Sequence, residues 1–301
     1  MNDFYEKLDE AYGSGDLAAA EALLLSAIEE TREGSIERAG LFNELAGFYK
    51  GVSRYAESES AFTQALDLFD SAGMSATLEY ATVLLNLAGL YRIKGETDRS
   101  AELFLRAMNK LEDAGEQDSY AYVSILNNLA LTYQEKGEYA LAFDYASTAL
   151  ARLRANEGNE HEIAVSLNNL AAIKLGQNDQ VSADVYVSEA LEMYDAMTET
   201  NVHHAAALTT KAVLQCRAGN YNSALEGFRR ALELTKLFFG ENIEFAICKR
   251  NISDVCGLLG DHDAAVSEQA EAVSIMERIL GREHPSVRSA LARLEQLKEK
   301  C

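Results

Sequence analysis

The sequence predicts an all-α protein, a right-handed α-α superhelix of about seven helical hairpins closed by a C-terminal capping helix. Three observations predict it. Pro285 is the only proline in 301 residues, and proline breaks helices because it lacks an amide donor and clashes with the preceding turn. Glycine is not abundant either, beside 48% hydrophobic residues, whereas an all-β chain needs many turn breakers. The third observation is an internal repeat. Leu84-Leu85-Asn86-Leu87-Ala88-Gly89-Leu90-Tyr91, followed by Gly95, returns as Leu126-Asn127-Asn128-Leu129-Ala130-Leu131-Thr132-Tyr133, followed by Gly137. It returns again as Leu167-Asn168-Asn169-Leu170-Ala171-Ala172-Ile173, followed by Gly176 and Asn178. Such a period marks stacked units, each too small to bury its apolar stripe alone.

A small residue opens the second half of every unit: Ala20, Ser58, Ser100, Ala142, Ala183, Ala224 and Ala265, at steps of 38, 42, 42, 41, 41 and 41. Another follows seven places on: Ala27, Ala65, Ala107, Ala149, Ala190, Ala231 and Ala272. Small side chains let two helix backbones approach, and large neighbours fill the remaining space. Each unit therefore reads as two antiparallel helices, A and B.

The units follow in order within one solenoid domain spanning 1–301. The first, 2–35, is irregular, with Lys7-Leu8 where later copies have Leu-Ala. The second, 37–76, supplies Leu45 and Tyr49 on helix A and Tyr55 and Phe62 on helix B. In the third, 78–118, Leu87 and Tyr91 precede the turn at Gly95, and Phe104 fills helix B. The fourth, 119–159, repeats this with Leu129, Tyr133, Gly137 and Tyr139. The fifth, 160–200, keeps Leu170 but has Lys174 at the Tyr place. The sixth, 202–241, has Lys211 at the Leu place, then Gly219, Tyr221 and Phe228. The seventh, 243–284, carries Lys249, Ser253 and Cys256 at normally apolar or aromatic places and turns at Gly260. The segment 285–300 is one more amphipathic helix, polar outside, suited to sealing the end of the stack.

This pattern resembles the tetratricopeptide repeat (TPR) family, whose signature runs W-x2-L-G-x2-Y, then A-x3-F, then A. The first large position is Phe42, Leu84, Leu126, Leu167 or Leu208 here, and the chain has no Trp. The ordinary period of the family is 34 residues. The longer spacing, the L-N-N-L-A phrase and Gly281-Arg282-Glu283-His284-Pro285 resemble the kinesin-light-chain-like subtype. The resemblance implies a protein-binding scaffold or adaptor, with the A helices lining a concave groove.

Composition narrows the partners. Lys and Arg number 27 against 48 Asp and Glu, a formal charge of -21. Phosphate backbones and anionic membranes attract proteins through Lys and Arg, so neither nucleic acid nor a membrane surface is expected as a partner. No apolar run is long enough to span a bilayer, and the acidic start Met1-Asn2-Asp3-Phe4-Tyr5-Glu6 has no apolar signal core. Cys216, Cys248, Cys256 and Cys301 are scattered without metal-ligand spacing. A reduced, cytoplasmic setting is expected.

The groove-facing places of repeats two to seven are rich in asparagine: Asn43, Asn86, Asn127, Asn128, Asn168, Asn169 and Asn251 hold 7 of the chain's 16 Asn. Asn is a mediocre helix former, and its amide donates and accepts at once. Such residues can grip the backbone of an extended peptide, as the resemblance implies, or bond neighbouring A helices and set their register. The same places carry Lys50, Arg92, Arg217 and Arg250 against Glu44, Glu135 and Asp254, so the groove is near neutral in an acidic protein. Arg92, beside Asn86 and Asn128, is the expected anchor for a carboxylate, because guanidinium binds it bidentately. The full Lys-Asn-Arg clamp that chaperone-binding relatives use is not present in three successive repeats.

No phosphate-binding loop, dinucleotide fingerprint or H-E-x-x-H pair is present, and His203-His204 are adjacent, pointing to different helix faces. No catalytic residues, metal site or cofactor are expected. The leading expectation is a scaffold that binds an extended peptide or helix of another protein. A peptide-responsive regulator and a structural homo-oligomer built through the end repeats or the last helix are the alternatives.

Overall fold

A computed structural model describes residues 2–197 and 202–299. The end of the fifth expected repeat, 198–200, and the last residue of the expected capping helix, Lys300, lie outside them. Among the described residues every element is a helix. The chain divides into two compact units, 1–152 and 153–301.

The first unit holds α1 (Asn2–Ser14), α2 (Leu17–Glu30), α3 (Ile36–Gly51), α4 (Tyr55–Ser71), α5 (Leu78–Ile93), α6 (Thr97–Asp113), α7 (Tyr120–Glu135) and most of α8 (Tyr139–Arg154). Here α1 pairs with α2, α3 with α4 and α5 with α6, Tyr133 of α7 stacks on Tyr145 of α8 at 5.6 Å, and the odd-numbered A helices α3, α5 and α7 lie side by side. The second unit holds α9 (Glu160–Gly176), α10 (Gln180–Ala196), α11 (Val202–Arg217), α12 (Tyr221–Phe239), α13 (Ile243–Leu259), α14 (His262–Leu280) and α15 (Pro285–Lys298). Here α9 pairs with α10, α11 with α12 and α13 with α14, while α15 packs on α14.

One turn geometry joins every A helix to its B helix. A single residue adopts positive φ at Gly15, Ser53, Gly95, Gly137, Asn178, Gly219 and Gly260, always five places before the small residue of helix B. Its amide bonds three residues back and the next amide bonds five back, as in Gly95 to Arg92 (3.0 Å) and Glu96 to Tyr91 (2.9 Å). This closes the orphan carbonyls at the helix end. Glycine occupies the place where expected at 95, 137, 219 and 260. In the fifth repeat Asn178, not Gly176, takes the left-handed backbone, and Gly176 completes α9. Ser53 does so in the second.

The small residues do what their spacing implies. Ala20, Ser58, Ser100, Ala142, Ala183, Ala224 and Ala265 are all fully buried, as are Ala65, Ala107, Ala149, Ala190, Ala231 and Ala272. Phe62, Phe104 and Phe228 fill the next turn with 0–2% exposure. Serine in this column needs a partner: Ser58 Oγ donates to the Ala46 carbonyl at 2.7 Å, closing α3 onto α4.

The misfit residues are accommodated by reaching. Lys211 crosses to Asp184 Oδ1 on α10 at 2.6 Å. Lys249 sits between Glu268 (2.7 Å) and Glu271 (2.8 Å) on α14. Ser253 Oγ donates to the Ala265 carbonyl at 2.6 Å, the same A-to-B bond that Ser58 makes in the reverse direction. The capping helix α15 starts at Pro285, whose missing N–H costs nothing at a helix start. It is tied down by Gln269, 1% exposed, whose Nε2 donates to the Ala290 carbonyl at 2.8 Å.

Candidate binding faces on the A helices

In the first unit the outer faces of α3, α5 and α7 carry the expected polar side chains half-buried: Asn43, Lys50, Asn86, Arg92, Asn127 and Asn128. The structure uses most of them internally. Asn86 Nδ2 donates to Asn43 Oδ1 at 3.0 Å, which bonds α5 to α3. Asn128 Nδ2 donates to the Ser124 carbonyl of its own helix at 2.9 Å, and Asn127 is also engaged. Arg92, the expected anchor, has Nη1 on Glu135 Oε1 of α7 at 2.7 Å. Its Nε is buried without a hydrogen-bond partner, as is Gln134 Oε1 on the same face.

Lys50 differs. No ion pair or hydrogen bond engages its ammonium among the described residues. It extends over α5, where Nζ lies 4.0 Å from the place a Cβ on Gly89 would occupy. Burial holds its pKa below the ordinary lysine value, and the nearby Arg92 charge lowers it further. Both effects disfavour the charged form.

In the second unit the corresponding faces of α9, α11 and α13 present Asn168, Asn169, Arg217, Arg250 and Asn251. Arg217 is committed: Nη1 donates to the Leu175 carbonyl at 2.9 Å, capping the end of α9. Asn168 Oδ1 is buried without a hydrogen-bond partner. The Asn169, Arg250 and Asn251 side chains make no hydrogen bond or ion pair among the described residues, and Asn169, Arg250 and Asn251 are half-buried.

The sequence pattern did not single out a second polar cluster in this unit. His161 at the start of α9 lies 5.3 Å, ring to ring, from His203 at the start of α11. Tyr194 on α10 stacks on His204 at 5.3 Å. Burial holds His203 below the ordinary histidine value and neighbouring His161 adds to this. His204 is lowered by burial first, with Asp195 opposing and Arg230 adding. The sequence signal was present, since His161 and His203 begin successive A helices, but only stacking of those helices makes them neighbours. No group of three or more His, Cys, Asp or Glu that could hold a metal occurs among the described residues. Nor is any described helix long and apolar enough to cross a membrane.

Comparison with known proteins agrees with this fold. No curated protein matches the chain. Among solved structures, BtubC (BKLC) from P. vanneervenii is 22% identical, with a TM-score of 0.59 over 64% of this chain and 79% of that one. The nearly identical TPR-like repeats of Podosopora anserina assigned to a kinesin light chain are 16% identical, with a TM-score of 0.56 over 66% of this chain and 97% of theirs. NprR in complex with its cognate peptide NprX is 13% identical, with a TM-score of 0.67 over 97% of this chain and 86% of that one. At such identities the likeness establishes the fold. The family model for the tetratricopeptide repeat matches residues 37–113, 122–196 and 203–278, most of the chain, and the chain belongs to the tetratricopeptide repeat family.

Proposed function

We propose that this protein is an interaction scaffold that holds an extended segment of another polypeptide against its A helices, and that it is not an enzyme. One observation carries the reading: the A-helix faces of the second unit keep Asn168, Asn169, Arg250 and Asn251 half-buried with hydrogen-bonding capacity unused. Buried polar groups are ordinarily satisfied, and an unsatisfied acceptor costs about 1–3 kcal/mol. An extended peptide supplies amide donors and carbonyl acceptors at a pitch that such a row can meet. NprR, described in complex with its cognate peptide, indicates that a chain of this fold accepts such an occupant.

The first unit favours a divided role. Asn43 and Asn86 bond each other, which supports a register role for these two, the alternative that the residue pattern left open. The experiment is selection of binders from a displayed random peptide library by the full chain, followed by calorimetry. Peptides should bind wild type, and Asn168→Ala with Asn169→Ala should weaken them about tenfold, a loss of about 1.4 kcal/mol, with unchanged helical circular dichroism. Equal affinity for the double variant would refute the reading. A cytoplasmic setting accords with Cys216, Cys248 and Cys256 being unbridged.

A further inference from the structure

The A-helix face of the first unit holds a cation without a counter-ion, in a place where the next repeat supplies one. Arg92 stands near the end of α5 and reaches across to Glu135 on α7. Lys50 occupies the equivalent place one repeat earlier, near the end of α3. The residue equivalent to Glu135 is then Ile93 on α5, an apolar side chain 51% exposed. By this equivalence the place that would pair Lys50 carries isoleucine, whereas the place that pairs Arg92 carries a carboxylate. Among the described residues Lys50, unlike Arg92, has no partner.

A half-buried ammonium without hydrogen bonds is unfavourable, because desolvation is not repaid. The ammonium lies over Gly89 of α5, 4.0 Å from where a Cβ would stand, an ordinary contact distance. The Arg92 guanidinium, itself paired with Glu135, further disfavours the unpaired charge on Lys50. A half-buried ammonium with no partner among the described residues favours a negatively charged group delivered from outside.

We infer that Lys50 is a carboxylate-binding subsite on the α3–α5 face, taking one carboxylate of a bound peptide, with exposed Ile93 beside it receiving an apolar neighbour. This rests on the peptide-holding reading above. A single carboxylate suits the site better than a strongly acidic segment. The chain carries a net charge of -21, which repels a polyanion as a whole, whereas one charge in a neutral or basic segment gains the local contact. Salt screens the long-range repulsion beyond about 8 Å at physiological ionic strength, and the half-buried Lys50 contact is screened less.

The test is selection from displayed random peptides by the full chain, run in parallel for wild type and Lys50→Met. Synthetic versions of the recovered peptides are then measured by calorimetry, each with a free and with an amidated C-terminus. The expected result is Asp or Glu enriched at one aligned position for wild type, and that enrichment lost for Lys50→Met while the rest of the motif persists. Replacing that acidic residue by its amide should cost wild type about tenfold in affinity and the variant nothing, the size expected for one charged hydrogen bond. If instead amidation of the terminus alone abolishes the difference, the carboxylate comes from the chain end rather than a side chain, and the subsite stands. The unliganded Lys50→Met chain should also unfold at a higher temperature, since an unpaired charge has been removed. Peptides that bind with no acidic preference, or with the same preference in the variant, would overturn the subsite and leave the peptide-holding reading intact. Recovery of no binding peptides by either chain would overturn that reading and this one with it.

Discussion

Changing Ser53 to glycine should stabilise the protein. Ser53 holds φ at 62° at the turn between α3 and α4, where four other repeats from the third onward place glycine. Left-handed backbone costs an ordinary L residue about 1–2 kcal/mol. Glycine removes that cost but returns about 0.5–1 kcal/mol through its greater freedom in the unfolded chain. The serine hydroxyl accepts only one long, exposed bond, from Tyr55 Oη at 3.4 Å, so little is lost with it. The net expectation for Ser53→Gly is a gain of about 0.5–1 kcal/mol. Asn178→Gly should gain less, because asparagine tolerates this region better than serine does. Gly95→Ser should lose what Ser53→Gly gains. Nothing lies within 4 Å of a Cβ built at Gly95, so its cost is purely backbone. Ser53→Ala is the control, keeping the strained φ without the hydroxyl, and should show no gain. The assay is urea unfolding followed by circular dichroism, with amide hydrogen exchange at the α3–α4 joint, because repeat arrays need not unfold in one step. If Ser53→Gly lowers the midpoint, or Gly95→Ser leaves it unchanged, the turn is not where the backbone strain resides.

Three further outcomes follow from the same geometry. A double-mutant cycle of Asn43→Ala and Asn86→Ala should return a coupling of about 0.5–1.5 kcal/mol in unfolding, and a zero coupling would remove their role in register. Gln269→Ala should cost about 1–3 kcal/mol and raise hydrogen exchange in α15 first, so that uniform exchange along the chain would contradict the lock on the capping helix. Because His203 and His204 are held below their ordinary values by burial, the unfolded chain takes protons first as pH falls through about 6.5. Stability contributed by these neutral histidines is therefore complete above that value and is lost as pH falls from it towards the folded values. Glu162, Asp195, Tyr194 and Arg230 face the cluster from α9, α10 and α12. His203→Gln should flatten the fall in unfolding midpoint between neutral and mildly acidic pH, and an unchanged slope would assign the loss to other groups.

Much of the fold was legible because packing in a stack of hairpins imposes a strict period. Where two helix backbones cross, only Ala or Ser fits, and that requirement recurs in every copy, so the residue type alone reports the crossing. The turn was partly legible. Glycine marks positive φ in five repeats, but Ser53 and Asn178 adopt it in the other two, where residue type alone does not announce it. The binding faces were the least legible. Their positions follow from helical periodicity, but their partners do not, because partners sit on the next repeat about 40 residues away.

That distance separates what the sequence determined by itself from what only the tertiary structure decided. The helices, their pairing and the places that face outward follow from local periodicity and side-chain volume. Which of those outward residues are already spent depends on distances of a few ångströms between α3, α5 and α7, or between α9 and α11. Stacking joins Asn43 to Asn86 and Arg92 to Glu135. It leaves Lys50 without a partner among the described residues, and it brings His161 against His203. Charge and hydrogen bonds act over those short distances, so the unspent groups emerge only once the helices are packed.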